Sequence, residues 1–215
     1  MIDYAHARTV MVDNQITTSS VTDRRLLATL RRIPRERFVP EAVRDLAYVD
    51  RDVPLGAGRV LTAPAPFAQL VQLAAITPTD KVLDAGAGTG YSSAVLASLS
   101  AKTVALETDA SLAGDAKANL DAVGLNRVKV VYGQVMAASH APFDVVVVEG
   151  IVESPPPQFL ALLREGGRLV ALIGGDNAPE VPHLFVKQGG TLAGKSGFDP
   201  LKPARTPATD DVFVF

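Results

Sequence analysis

Three glycines at positions 86, 88 and 90, with an acid before them at Asp84 and another after them at Glu107, are the residues of this sequence best suited to hold a ligand. They stand in the run Val82-Leu83-Asp84-Ala85-Gly86-Ala87-Gly88-Thr89-Gly90-Tyr91. Glycine lets a backbone approach a ligand closely and adopt dihedrals that other residues resist. A helix opening near Tyr91 aims its unpaired N–H groups, and the positive end of its dipole, at whatever lies on the loop. A carboxylate at Glu107 can accept hydrogen bonds from both hydroxyls of a ribose. The dinucleotide fingerprint spaces its glycines as G-x-G-x-x-G, and here the third glycine comes one residue early. A tight turn without a ligand is the plain alternative. The flanking acids and the strand–helix frame favour a bound cofactor.

The hydrophobic pattern supplies the elements that must position these residues. Short apolar runs at Lys81–Ala85, Thr103–Glu107, Val128–Tyr132, Phe143–Val148 and Arg168–Ile173 read as strands. The unbroken Val145-Val146-Val147-Val148 fits a strand covered on both faces, as in a parallel sheet. Helical stretches alternate with the strands at Ser92–Leu99, Ser111–Val123 and Gln158–Arg164, and one at Phe67–Ile76 precedes them. This rhythm predicts an α/β fold with a Rossmann-like, doubly wound, mostly parallel sheet, and it puts the glycine loop at the carboxyl ends of the strands.

Leu184–Lys187, Gly189-Gly190 and Thr191–Phe198 predict an antiparallel C-terminal hairpin, with Asp211–Phe215 as a last strand. Residues 1–66 read as a helical and loop extension packed on a core of residues 67–215, together one globular unit. In the extension, Leu26, Leu27, Leu30 and Ile33 recur at helical spacing between the capping candidates Thr22 and Asp23 and the terminator Pro34. An earlier helical piece carries Val10, Met11 and Ile16 on one face. Residues 50–67, rich in Pro and Gly, read as loop.

Composition excludes several classes. Hydrophobic residues make up 47% and charged residues 20% of the 215, which suits a globular chain with a core rather than a disordered one. A net charge of -2 gives no overall attraction to nucleic acid or anionic membrane. The absence of Cys removes disulfides and thiolate metal sites. His6, His140 and His183 lack metal-ligand spacing and read as surface or core imidazoles. The apolar runs fall short of a membrane span, and Met1–Tyr4 shows no basic-then-apolar leader, so the expected setting is the cytoplasm. The arginines 24, 25, 31, 32, 35 and 37 could attract acidic polypeptide, but read better as a solvated helix face paired in part with Asp23 and Glu36.

The acid followed by G-x-G-x-G resembles the first motif of S-adenosylmethionine-dependent methyltransferases. Met11-Val12-Asp13-Asn14-Gln15-Ile16, Arg32-Ile33-Pro34-Arg35-Glu36-Arg37-Phe38-Val39-Pro40, Ala47-Tyr48-Val49-Asp50, Ala141-Pro142-Phe143-Asp144 and Leu163-Arg164-Glu165-Gly166-Gly167-Arg168-Leu169-Val170 narrow the likeness. Together they resemble the protein-L-isoaspartate O-methyltransferases over most of the chain to about residue 175. The resemblance implies S-adenosylmethionine as cofactor and the carboxylate of isoaspartyl residues in damaged proteins as acceptor. It implies cofactor contacts from Leu61, from Asp84, Gly86, Ala87, Gly88 and Gly90, from Glu107 and Thr108, and from Gln134 and Val135; Glu149, at the carboxyl end of a central strand, is a further candidate by its place alone. It carries no implication of a metal, nucleic-acid or membrane partner.

Three segments depart from the family pattern. A substrate loop of the form Thr-Ile-Ser-x-Pro is here Val60-Leu61-Thr62-Ala63-Pro64, so the expected catalytic hydroxyl is that of Thr62, stiffer at χ1 than serine; its alternative is a residue capping the next helix. Gly133-Gln134-Val135 replaces Gly-Asp-Gly, exchanging an acid near the adenine for an amide. Glu149-Gly150 stands where small uncharged residues belong; Glu149 could bind a cationic acceptor group or the cofactor's α-amino group, or be a solvated loop acid. A different methyl acceptor and a non-catalytic cofactor-binding homologue are the rival functions.

Overall fold

The computed structural model describes residues 2–135, 142–175 and 178–196. Along the chain run α1 (Tyr4–Met11), α2 (Arg24–Arg32), β1 (Val53–Gly56), β2 (Arg59–Leu61), α3 (Pro64–Ala74), β3 (Lys81–Ala85), α4 (Tyr91–Leu99), β4 (Lys102–Glu107), α5 (Ala110–Ala122), β5 (Lys129–Tyr132), β6 (Phe143–Val152), β7 (Leu163–Gly175), β8 (Ala178–Gln188) and β9 (Thr191–Ser196). Seven strands form one sheet in the order β5-β4-β3-β6-β7-β8-β9. The first five are parallel, and β8 and β9 add on antiparallel. From β3 the chain moves outward to β4 and β5 and then returns to β6, on the other side of β3. Order therefore reverses between β3 and β6, the place where such sheets open a crevice at their carboxyl ends.

The valine run behaves as its pattern requires. Val145 and Val147 point into one hydrophobic cluster and Val146 and Val148 into the other. Side chains alternate across a strand, so an all-apolar run is stable only where both faces are covered. Residues of all five α-helices share the first cluster with the sheet. Phe159 and Phe185 help close the second.

Several expectations need correction. The 50–67 loop holds a hairpin, in which Val53 pairs with Leu61, and the start of α3. Pro64 sits in the first turn of α3, where a missing N–H costs nothing. Gln158–Arg164 is not an α-helix but a 3-10 segment over Pro157–Leu162 running straight into β7; six residues between a proline run and a strand leave no room for a packed helix. Val10 is exposed, while Met11 and Ile16 are buried. The hairpin turns at Gly189-Gly190, and its predicted end at Phe198, the Asp211–Phe215 strand and His140 lie outside the described residues.

Asp23 caps α2, its carboxylate accepting from the Arg25 and Leu26 amides. Gln72 of α3 accepts from the Thr22 and Asp23 amides, at 2.7 and 3.0 Å, and so locks the helical N-terminal part to the hairpin–helix unit that carries Thr62.

Candidate active site

The glycine loop leaves β3 and folds back on β4, where the Gly86 and Ala87 amides donate to the Leu106 carbonyl at 2.9 and 3.1 Å. Gly90 begins α4 with φ +96°. A Cβ there would stand 3.2 Å from the Ala116 Cα of α5, so backbone conformation and helix packing both demand glycine. No side chain caps α4 among the described residues, and the dipole of its first turn faces the crevice. The Thr89 hydroxyl donates to the Phe38 carbonyl, and Asn119 donates to the Thr89 carbonyl at 3.0 Å. The loop is thus tied both to the Arg35–Phe38 turn and to α5.

Glu107, 0% exposed, closes β4. Its Oε2 accepts from the Gly88 amide at 2.6 Å. Its Oε1 accepts from the Thr108 and Asp109 amides at 2.7 and 3.1 Å and from Arg59 Nη1 at 3.3 Å. Arg59 also donates to the Gly86 carbonyl at 2.7 Å. The expected ribose acceptor is therefore already gripped by an arginine that the sequence reading left unassigned. A carboxylate oxygen accepts about two bonds, so a sugar hydroxyl reaching Oε1 must displace Arg59.

Asp84, also wholly buried, accepts from the Ser92 hydroxyl at 2.7 Å and from that of Ser93, both on the first turn of α4. Its other oxygen has no partner among the described residues. Burial, chiefly, lifts its pKa to about 6; Glu107 adds to the rise, and the two serines and Arg59 oppose it.

Glu149 sits in a bulge. Pairing of β6 with β7 passes from Val148↔Ala171 to Ile151↔Leu172, leaving Glu149 and Gly150 out of register, and Gly150 takes φ +89°. Bulges beside active sites re-aim a side chain. Glu149 is half-buried, and its Oε1 is out of solvent and without a partner among the described residues, which sets it apart from a freely solvated loop acid. Burial, and then the nearby Asp84, hold its carboxyl well above the usual range, against Arg59 and Arg35.

Thr62 follows β2 and is 8% exposed. Arg35, 0% exposed, donates to the Thr62 carbonyl through Nη2 and to the Ala47 carbonyl through Nε, both at 2.7 Å, and its guanidinium lies 4.8 Å from the ring centre of Tyr91. Thr62 is thereby fixed against the residue that follows Gly90. The Ala63 amide donates to Asp52 at 2.7 Å, and α3 is capped by Ala63 without a side-chain bond, so Thr62 does not act as a cap.

The arginine cluster divides accordingly. Arg35 is buried rather than solvated, Arg25 donates to the Ile76 and Leu99 carbonyls, Arg31 pairs with Asp13, and Glu36 pairs with Arg8 at 3.1 Å. The signal for Arg35 was its place in the Pro34-Arg35-Glu36 segment; helical periodicity alone assigned it to solvent.

The remaining candidates fall in varied surroundings. Leu61 is buried in the hairpin and Thr108 borders Glu107, while Gln134 is exposed and Val135 packs in the second core. The Gly133 amide donates to the Glu107 carbonyl at 2.9 Å, holding that turn beside β4. Among the described residues no group of three His, Asp or Glu side chains stands ready for a metal.

Comparison with known proteins gives one consistent result. The family model "Protein-L-isoaspartate(D-aspartate) O-methyltransferase (PCMT)" matches residues 6–197. A protein-L-isoaspartate O-methyltransferase of Koribacter versatilis is 37% identical over 193 residues, covering 88% of this chain and 86% of that one. One from Methanoculleus marisnigri is 35% identical over 184 residues, covering 85% and 84%. A solved protein-L-isoaspartate O-methyltransferase superposes with a TM-score of 0.75 at 22% identity; the match takes in 94% of this chain and 66% of that one, just under two thirds of its length. A Plasmodium falciparum structure described as a β-aspartate methyltransferase in complex with S-adenosyl-L-homocysteine gives 0.73 at 20% identity, over 92% and 96%. At these identities the two structures establish a shared fold.

Proposed function

The chain belongs to the protein-L-isoaspartate(D-aspartate) O-methyltransferase family, and from that premise we propose that it transfers a methyl group from S-adenosylmethionine to the carboxylate of isoaspartyl residues in damaged proteins, in the cytoplasm. The ester then cyclises to a succinimide, which can reopen to normal aspartate.

The site fits such a cofactor. The glycine turn leaves room at the backbone, α4 presents its amino end, and a buried carboxylate oxygen of Asp84 is without a donor among the described residues. Glu107 would hold the ribose once Arg59 withdraws, with Thr108 and Gln134 flanking the nucleoside. The bound cofactor supplies an activated methyl on a sulfonium. The acceptor carboxylate is ionised near neutral pH, so no general base is required. What remains for the chain is alignment, an effect worth up to roughly 7–11 kcal/mol.

The observation that carries the reading is Arg35, which holds the Thr62 carbonyl while lying over Tyr91 and so lays the β2 turn against the end of the glycine loop. In this reading the Thr62 hydroxyl orients the acceptor. Labelled cofactor should methylate an isoaspartyl peptide but not its aspartyl twin, and Thr62→Ser should retain or raise that rate while Thr62→Val lowers it. Equal or absent labelling of the twins overturns the assignment. Glu149 favours a second reading, an acceptor with a cationic group; turnover of a small amine, lost in Glu149→Ala, would support it.

A further inference from the structure

Resting on the isoaspartyl reading, we propose that Glu149 binds the acceptor as a neutral carboxylic acid, donating a hydrogen bond to one oxygen of the acceptor carboxylate while the other oxygen attacks the methyl group.

The argument begins with charge. The crevice at the carboxyl ends of the strands holds Asp84 and Glu107, both wholly buried, and Glu149, half-buried as a residue but with its Oε1 out of solvent. An anionic acceptor entering beside an ionised Glu149 meets like charge in a poorly screened setting. The same side chain carrying a proton offers the donor that a carboxylate seeks, and a hydrogen bond to an ionised acceptor is among the stronger kinds.

Geometry favours the protonated form. The bulge with Gly150 at φ +89° sets Glu149 at the mouth of β6, next to the β3 residues that lead into the glycine loop, since Val148 pairs with Ala85. Its Oε1 is buried and receives no hydrogen bond from any described residue. A buried ionised oxygen without donors is costly, whereas a protonated one needs only an acceptor.

The charged groups acting on Glu149 are Asp84 from β3, Arg59 from β2 and Arg35 from the turn after α2, with Glu107 of β4 acting on Asp84. Arg35 spends its fork on the Ala47 and Thr62 carbonyls, and Arg59 reaches Glu107 and the Gly86 carbonyl. Arg35 therefore links the two acceptor-facing groups, Thr62 by a hydrogen bond and Glu149 by its field.

The transfer balances without moving the Glu149 proton. The acceptor oxygen bonds to the methyl carbon as the carbon–sulfur bond breaks and its electron pair returns to sulfur. A neutral ester and a neutral thioether result. Glu149 grips the anionic acceptor more firmly than the neutral ester, which aids product release.

The test is kcat/KM for an isoaspartyl peptide from pH 5.5 to 9.5 in wild type, Glu149→Gln and Glu149→Ala, with binding of S-adenosylhomocysteine measured by calorimetry. Wild-type kcat/KM should fall tenfold per pH unit on the alkaline side, through KM rather than kcat. Glu149→Gln, which keeps a donor that cannot ionise, should hold most of the activity and lose the alkaline fall. Glu149→Ala should lose roughly 10- to 100-fold, the scale of one hydrogen bond to a charged group, at unchanged S-adenosylhomocysteine affinity. A glutamine variant with the wild-type alkaline limb, or as inactive as the alanine variant, overturns the proposal. So does a glutamine variant that binds S-adenosylhomocysteine tenfold more weakly, which would make Glu149 an ionised partner of the cofactor's ammonium. Wild type that labels no isoaspartyl peptide at any pH overturns the isoaspartyl reading with it.

Discussion

Replacing Asp84 by asparagine should stabilise the protein at neutral pH while weakening its hold on the cofactor. The Asp84 carboxyl titrates at about 6 instead of 3.8 because burial, and then Glu107, outweigh the help of Ser93, Ser92 and Arg59. Between those two pH values the native chain keeps a proton that the unfolded chain has lost. Stability from this group is therefore greatest below pH 3.8, falls as pH rises through the window, and bears the full cost above pH 6. The displacement corresponds to about 3 kcal/mol. Asparagine still offers an oxygen to the Ser92 and Ser93 hydroxyls and has no charge to desolvate.

The variant should gain up to about 3 kcal/mol at pH 7.5, equivalent to roughly 6–12 °C in Tm for a chain of this size, and nothing at pH 3.5. Urea unfolding at the two pH values measures the difference, and calorimetry with S-adenosylhomocysteine should show weaker binding. A stability change that is the same at both pH values, or a loss at pH 7.5, refutes the assignment of the cost to the Asp84 charge.

Arg35→Met should cost about 3 kcal/mol, since it leaves the buried Ala47 and Thr62 carbonyls without their donor; peptide kcat/KM should drop further than cofactor affinity, and equal losses in the two assays would remove Arg35 from the positioning of Thr62. Gly90→Ala should destabilise by about 1–3 kcal/mol from positive φ and the approach to Ala116, with at least tenfold weaker cofactor binding by calorimetry. Arg59→Ala should bind S-adenosylhomocysteine several-fold more tightly, because the guanidinium no longer competes for Glu107 and the Gly86 carbonyl; unchanged or weaker binding would show that Arg59 stays in place beside the bound nucleoside.

Much was legible in the sequence because the signals are local. A Val145–Val148 run with no polar break demands cover on both faces, and a glycine triplet between a strand and a helix demands a tight turn at the carboxyl end of that strand. Acids at 84 and 107 then fall beside that turn by strand length alone. The hairpin at 189–190 follows from adjacent glycines between apolar runs. The 53–61 hairpin was hidden because its prolines and glycines imitate an irregular loop, and the 157–162 segment because apolar spacing over six residues does not separate a 3-10 turn from an α-helix.

By itself, then, the sequence determined the parallel sheet, the glycine loop with its two acids and the kind of cofactor they suit, since each depends on residues close together along the chain. Tertiary structure alone decided that Arg35 is buried against Thr62 and Tyr91, that Arg59 sits on Glu107, and that Glu149, in a bulge, has an oxygen out of solvent with no partner among the described residues. Those facts depend on contacts between distant segments, where burial sets the cost of a charge and therefore its protonation, and neither residue type nor spacing reveals which charges are removed from water.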